Sequence, residues 1–163
     1  APGPLAVVRR PTLKKASLNQ APQGLELLLA LQDPSNLGAA LRVAEAFSAK
    51  KVILLKECTE PFLPKTSRAS SGSNFRVPIE LGPSLKDLEI KGPVIALDLT
   101  GEPIQNFSWP KAVRLFVGIE GPGVPKNFDA HKVKIEMSKN IDSLNVVSAL
   151  SIACFSYQTQ KAL

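Results

Sequence analysis

The chain has 163 residues, 44% of them hydrophobic, and a formal net charge of +6 with a pI near 9.5. Those values suit one α/β-sized domain with a real core and favour an anionic partner, although a solubilising surface charge accounts for the composition equally well. No run approaches the ~18 apolar residues of a membrane span, no signal peptide is visible, and Cys58 and Cys154 have no partners at metal-ligand spacing, so neither membrane nor metal is expected and the compartment is expected to be reducing, the cytoplasm or an organellar matrix.

Residues 1–24, rich in proline and carrying a basic tract, read as a linker or lead-in with a short strand at Leu5–Val8. The start at Ala1-Pro2-Gly3-Pro4 suggests an excised or processed piece of something longer. Residues 25–163 read as one domain of alternating strands and helices. Leu25–Leu31 is an apolar run of strand length, interrupted only by Glu26; Leu37, Leu41, Ala44 and Phe47 then recur at near-helical spacing after Asn36, a good N-cap residue. Lys51–Leu55 is the next strand, Pro64–Ser71 a helix or turn, Phe75–Leu81 an alternating segment, and Pro93–Leu99 another buried run. Val113–Ile119 and Val133–Met137 complete the strands, and a last helix runs from about Ser143 to Gln160.

Apolar strands separated by helices predict an α/β fold: a mostly parallel sheet with helices on both faces. Ligands in such sheets sit beyond the carboxyl ends of the strands, so Gln32–Asn36, Leu99–Gly101 and Gly118–Gly121 are expected around one crevice. In the last helix Val147, Leu150, Cys154 and Tyr157 make one apolar face and Val146, Ala149 and Ala153 another. A helix apolar on two sides is expected to be covered on two sides, by the sheet and by a second subunit or a neighbouring domain.

Taken singly, the polar residues have ordinary readings. Gly118-Ile119-Glu120-Gly121-Pro122-Gly123 lacks the spacing of a dinucleotide fingerprint and the ending of a P-loop. It is either a turn leaving a strand or a side-chain-poor backbone laid against a flat ligand, with Glu120 facing the crevice. Arg42 fits a helix surface, paired with Glu45 at i+3. His131, the single histidine, falls in a polar connection and is expected to be exposed. With no histidine or cysteine in a catalytic-looking setting, ordinary hydrolase machinery is not expected.

Together, Asp33-Pro34-Ser35-Asn36-Leu37-Gly38-Ala39-Ala40-Leu41-Arg42-Val43-Ala44, Leu115-Phe116-Val117-Gly118-Ile119-Glu120-Gly121-Pro122-Gly123-Val124, and Ile135-Glu136-Met137 with Asp142-Ser143-Leu144-Asn145-Val146 resemble, in order and spacing, the three motifs of the SpoU (TrmH-type) branch of the SPOUT methyltransferases. Arg68-Ala69-Ser70-Ser71-Gly72 resembles a further element between the first two motifs. One departure is Glu136, where the family usually has proline.

The resemblance implies a C-terminal deep trefoil knot, a homodimer, S-adenosylmethionine as cofactor, and methyl transfer to a ribose 2′-hydroxyl of ribosomal or transfer RNA. By position it implies Leu99, Gly118, Ile135 and Leu144 as cofactor-binding residues and Asn36, Arg42, Glu120, Ser143 and Asn145 as the catalytic set. RNA is expected to meet the basic segments Arg9–Lys15 and Lys65–Arg76, while the scarcity of aromatics argues against extensive base stacking. Two alternatives remain open: a non-catalytic RNA-binding or assembly protein of the same fold, and a nucleotide-dependent oxidoreductase, for which the glycine spacing is wrong.

Overall fold

The computed structural model describes residues 3, 7–118 and 128–161. Among them the strands are β1 (Lys14–Lys15), β2 (Leu25–Leu29), β3 (Lys51–Leu54), β4 (Ile79–Leu81), β5 (Val94–Pro103), β6 (Val113–Val117) and β7 (His131–Lys134). The α-helices are α1 (Pro34–Ala46), α2 (Pro64–Ser70) and α3 (Val146–Lys161). The strands form one sheet in the order β1-β4-β3-β2-β6-β5-β7, and every described pairing is parallel. A strand buried on both faces needs apolar residues at successive positions, and β2 and β6 are buried at every residue.

Their two charged residues answer each other. Glu26 and Arg114 are register partners on β2 and β6, both almost fully buried, with Arg114 Nε donating to Glu26 Oε2 over 2.9 Å. Arg114 also donates to the carbonyls of Lys91 and Gln20, at 2.6 and 2.7 Å. The guanidinium thus ties β6 to β2 through Nε and the sheet to its flanking segments through Nη1 and Nη2.

On one face Leu27, Leu29, Val52 and Leu115 pack with Leu37, Leu41 and Ala44 of α1 and Leu150, Ala153 and Cys154 of α3. The expected helices on the other face are not found among the described residues. There Leu28, Ile53 and Phe116 are covered by Ala16 and Leu18 of the lead-in and by Leu85, Leu88 and Ile90. Gly82-Pro83 and Gly92-Pro93 bracket that second stretch, leaving room for only a 3-10 turn at Leu85–Asp87.

Several boundaries differ from the sequence-based expectation for local reasons. α1 is capped by Asp33 rather than Asn36, because Pro34 is pre-set for the first helical position and the Asp33 carboxylate accepts from the N–H groups of Ser35 and Asn36, at 2.8 and 3.0 Å. The strand expected over Leu5–Val8 falls partly outside the described residues, and Val7 and Val8 are exposed coil; Lys14–Lys15 pairs with β4 instead. β7 begins and ends earlier than Val133–Met137, so Ile135 and Met137 lie beyond it. α3 begins at Val146, after the polar triplet. Leu150, Ala153, Cys154 and Tyr157 form its buried stripe, merging residues assigned to two faces, while its outward apolar residues are Ile152 and Phe155.

Candidate active site

Within β5 the ladder with β7 runs from Ile95 opposite His131 to Leu97 opposite Val133, then resumes with Glu102 opposite the same Val133. Asp98–Gly101 therefore leave the ladder as a four-residue excursion. Gly101 is required at its return, since a Cβ there would run into the backbone of Lys132 and Val133. Asp98 braces the loop: its Oδ1 accepts from the N–H and hydroxyl of Thr100, at 2.9 and 2.6 Å, and its Oδ2 meets Lys132 Nζ at 3.1 Å. Burial pushes the Asp98 carboxyl up, but these donations outweigh it and hold the group below its ordinary value.

The excursion forms one wall of a cavity of about 360 Å³. Leu97, Leu99, Val133, Ile135, Met137 and Leu144 make it largely apolar, and Asp98, Thr100 and Ser143 bring polar atoms to it. Of the four residues expected to hold a cofactor, Leu99, Ile135 and Leu144 line this cavity. Gly118, half-buried at the end of β6, does not. Asp98 was missed as a site residue, although an aspartate two residues before a threonine, in a run otherwise apolar and followed by glycine, is a signal for such a turn.

Around the cavity the first and third motifs meet. Asn145 Oδ1 caps α3, accepting from Val147 N–H at 2.9 Å, while its Nδ2 donates to Asn36 Oδ1 at 3.4 Å. This contact joins residues 109 apart in the chain. Asp33 holds the Asn36 backbone, and Lys65 Nζ lies 3.2 Å from Asp33 Oδ2. The Asn36 N–H and Lys65 both favour the Asp33 carboxylate and depress its pKa.

Arg42 is exposed on α1. It does not pair with Glu45 as expected: Glu45 accepts from Arg76 Nε and Nη2, at 2.5 and 2.8 Å, and from the Ser73 hydroxyl at 2.5 Å. Arg76 and then Ser73 lower the Glu45 pKa to about 2. Arg42 has no ion-pair partner among the described residues. Glu120, with the remainder of the glycine-rich segment through 127, lies outside the described residues. His131 opens β7, exposed, 3.1 Å from Glu102 Oε1. Burial pushes the Cys58 and Cys154 thiols up to about 11 and 12, so neither is a ready nucleophile. No described helix is long and apolar enough to cross a membrane.

The sequence matches the model of the SpoU rRNA Methylase family over residues 27–155. Among similar proteins, a ribosomal RNA small subunit methyltransferase G 2 of Syntrophobacter fumaroxidans is 40% identical over 136 residues, covering 83% of this chain and 27% of that protein. A 23S rRNA (guanosine-2'-O-)-methyltransferase of Xanthomonas campestris is 33% identical over 157 residues, covering 88% and 63%. The AdoMet-bound rRNA methyltransferase from Sinorhizobium meliloti superposes with a TM-score of 0.78 at 29% identity, over 90% of this chain and 61% of that one. This chain spans less than two thirds of each of these relatives. With a family match that takes in both Asn36 and Asn145, the chain belongs to the SpoU rRNA methylase family.

Proposed function

We propose that the chain is the catalytic domain of an RNA 2′-O-ribose methyltransferase, transferring a methyl group from S-adenosylmethionine to a ribose 2′-hydroxyl of ribosomal or transfer RNA. The observation that carries this reading is the Asn36–Asn145 contact, beside a cavity lined by Leu99, Ile135, Ser143 and Leu144. The named activities of the rRNA methyltransferase relatives support it.

The cavity suits the cofactor. Its volume falls within the roughly 300–1,000 Å³ of small-molecule sites, its apolar walls can cover a planar base, and the Asp98 carboxylate adds negative charge near a cationic ligand. The residues to hold it are Leu99, Ile135 and Leu144, with the Gly118 backbone at the end of β6. Bound there, S-adenosylmethionine supplies a methyl carbon already activated by the sulfonium charge. What remains for the protein is to hold the ribose oxygen in line and to ease loss of its proton.

Arg42 is the residue for that second task. A guanidinium is a poor base but a strong donor, so Arg42 stabilises the developing alkoxide or engages an RNA phosphate that takes the proton. Asn36 and Asn145 fix the geometry between α1 and the start of α3, Ser143 shapes the cavity mouth, and Glu120 orients Arg42 or the ribose. Arg42→Ala is expected to keep cofactor affinity and to lower single-turnover methyl transfer by roughly 10² or more. Unchanged turnover with weakened RNA binding would make Arg42 a phosphate contact instead. S-adenosylhomocysteine binding without methyl transfer to any RNA would favour a non-catalytic scaffold.

We further propose the deep trefoil knot and the homodimer of the family, in the cytoplasm or an organellar matrix. Support for the knot is the likeness to solved relatives and the assembly of one cavity from β5, the segment after β7 and the segment before α3. Support for the dimer is the outward apolar pair Ile152 and Phe155 on α3.

A further inference from the structure

The turn at Ser73–Phe75 is inside out. Its serine and asparagine are buried, at 1% and 2% exposure, whereas the phenylalanine is 52% exposed. The polar side is fully employed: Asn74 Nδ2 donates to Pro61 O at 3.0 Å and Ser67 Oγ at 2.9 Å, Asn74 Oδ1 accepts from Ser70 Oγ at 2.9 Å, and Ser73 donates to Glu45. Arg76, the next residue, is clamped to Glu45. The backbone is therefore fixed on both sides of Phe75, and the ring is held outward by bonds that do not involve it.

Phe75 also has backing and charged surroundings. The Phe62 ring lies 5.5 Å away, tilted by 35°, and Arg10 sits over Phe62 with its guanidinium carbon 5.6 Å from the centroid. Lys65 and Arg68 are exposed on α2, and Arg68 has no ion-pair partner among the described residues. The platform stands on the α1 flank that carries the exposed Arg42, because Glu45, which anchors Ser73 and Arg76, lies three residues beyond Arg42 and shares its face.

A rigid aromatic face beside α2, whose Arg68 has no described ion-pair partner while Arg10 and Lys65 are paired with Glu60 and Asp33, matches an unpaired nucleobase on a phosphate backbone, since every base offers a π-face and pre-organisation removes the ordering cost. We infer that Phe75 is a stacking platform for one unpaired base of the RNA strand that presents its ribose to Arg42, with Arg68 contacting an adjacent phosphate. This rests on the proposed RNA substrate. It confines stacking to one base, in keeping with the scarcity of aromatics in the chain.

The test uses fluorescence anisotropy with a labelled single-stranded uridine oligonucleotide of about 12 nucleotides, within the site sizes of single-strand binders, and an RNA duplex of equal length. Phe75→Ala is expected to weaken single-strand binding by roughly 5- to 150-fold, the loss of one base stack, with duplex binding and S-adenosylhomocysteine affinity unchanged. Phe75→Leu keeps apolar area without a π-face and should fail like alanine, whereas Phe75→Tyr should restore binding. Stacking releases no counterions, so Phe75→Ala should leave the salt slope unchanged, while Arg68→Gln should reduce it by about 0.7, the value for one phosphate on a single strand. Unchanged single-strand affinity of Phe75→Ala, equal losses on both RNAs, or restoration by leucine would overturn the platform. So would a lowered sedimentation mass with RNA binding intact, which would make the patch a protein contact. Methyl transfer by the parent chain is read separately. Transfer that persists without any effect of Phe75→Ala sinks the platform alone, and Phe75-dependent binding without transfer to any RNA sinks the proposed activity alone.

Discussion

Glu45 accepts from Arg76 and Ser73 and so leaves the neighbouring Arg42 without a described carboxylate partner, available for substrate. The i+3 spacing made Glu45 look like the partner of Arg42, but the guanidinium of Arg76 arrives bidentate from a turn 31 residues away. Local spacing lists the carboxylates within reach and is silent on competitors brought by the fold. The tie has a definite pH signature. The Glu45 pKa falls from 4.5 to about 2 on folding, so its stabilisation is fully present above pH 4.5 and is lost as pH falls toward 2. A Glu45→Gln variant should melt below the parent at neutral pH, with the gap closing over that acidic window. Thermal unfolding at stepped pH reads this, and a gap constant down to pH 2 would exclude the carboxylate as its source. The Asn36–Asn145 contact was equally out of reach of local spacing, although the motifs named both residues.

Gly38 lies in the contact between α1 and α2, where there is no room for a side chain. A Cβ on Gly38 would meet the Thr66 carbonyl, and would lie 2.6 Å from Ala69 Cβ and 2.9 Å from Ser70 N, backbone and short side chain that cannot swing away. Gly38→Val should therefore cost roughly 1–3 kcal/mol or more, the scale of overpacking, in urea unfolding, and should also lower RNA affinity by displacing α2. A loss below ~0.5 kcal/mol, the range of ordinary surface substitutions, would mean that the helices separate freely. At this scale the sequence was legible where one periodicity dominates: β2, β3, β6 and α1 fall close to their apolar patterns. It was less legible where tertiary structure chooses. β5 runs on to Pro103, past the expected end at Leu99, with the Asp98–Gly101 excursion inside it, and the early end of β7 releases Ile135 to the cavity. Neither event has a periodic signal.

Glu26 and Arg114 bind the middle of the sheet, and their burial makes the pair costly to break from one side. Arg114→Met should destabilise the domain by about 3–5 kcal/mol, since it leaves the buried Glu26 carboxylate with only the Gln23 N–H at 3.1 Å and Lys51 Nζ at 4.0 Å, and adding Glu26→Leu should recover much of the loss. Urea titrations of the single and double variants measure this; strictly additive losses would mean that the pair is not coupled. For the proposed homodimer, sedimentation should give twice the chain mass of 17.5 kDa. Phe155→Glu, at the 60% exposed ring on α3, should dissociate it, and an unaffected dimer would place the interface elsewhere. The α/β class and parallel sheet could be read from apolar runs alone. The partial helical cover could not, because it depends on Gly-Pro pairs that limit one connection.

The central pairing of β2 with β6 also dictates an order of events in time. Glu26 and Arg114 are 88 residues apart, and at ~5–20 residues per second of synthesis a ribosome takes roughly 4–18 s to make the second after the first. Through that interval β2, β3 and β4 can assemble with α1 and α2, but the other edge of β2, an unbroken row of leucines apart from Glu26, has no strand beside it. An open apolar edge is a template for pairing with another chain. Nascent chains halted between residues 82 and 112 should therefore be far more prone to aggregate, and more dependent on chaperones, than chains that have extended past Val117. Glu26 then acts as a gatekeeper during synthesis, a charge in the exposed strand that Lys51 of β3 meets at 4.0 Å and whose closer partner, Arg114 at 2.9 Å, arrives last.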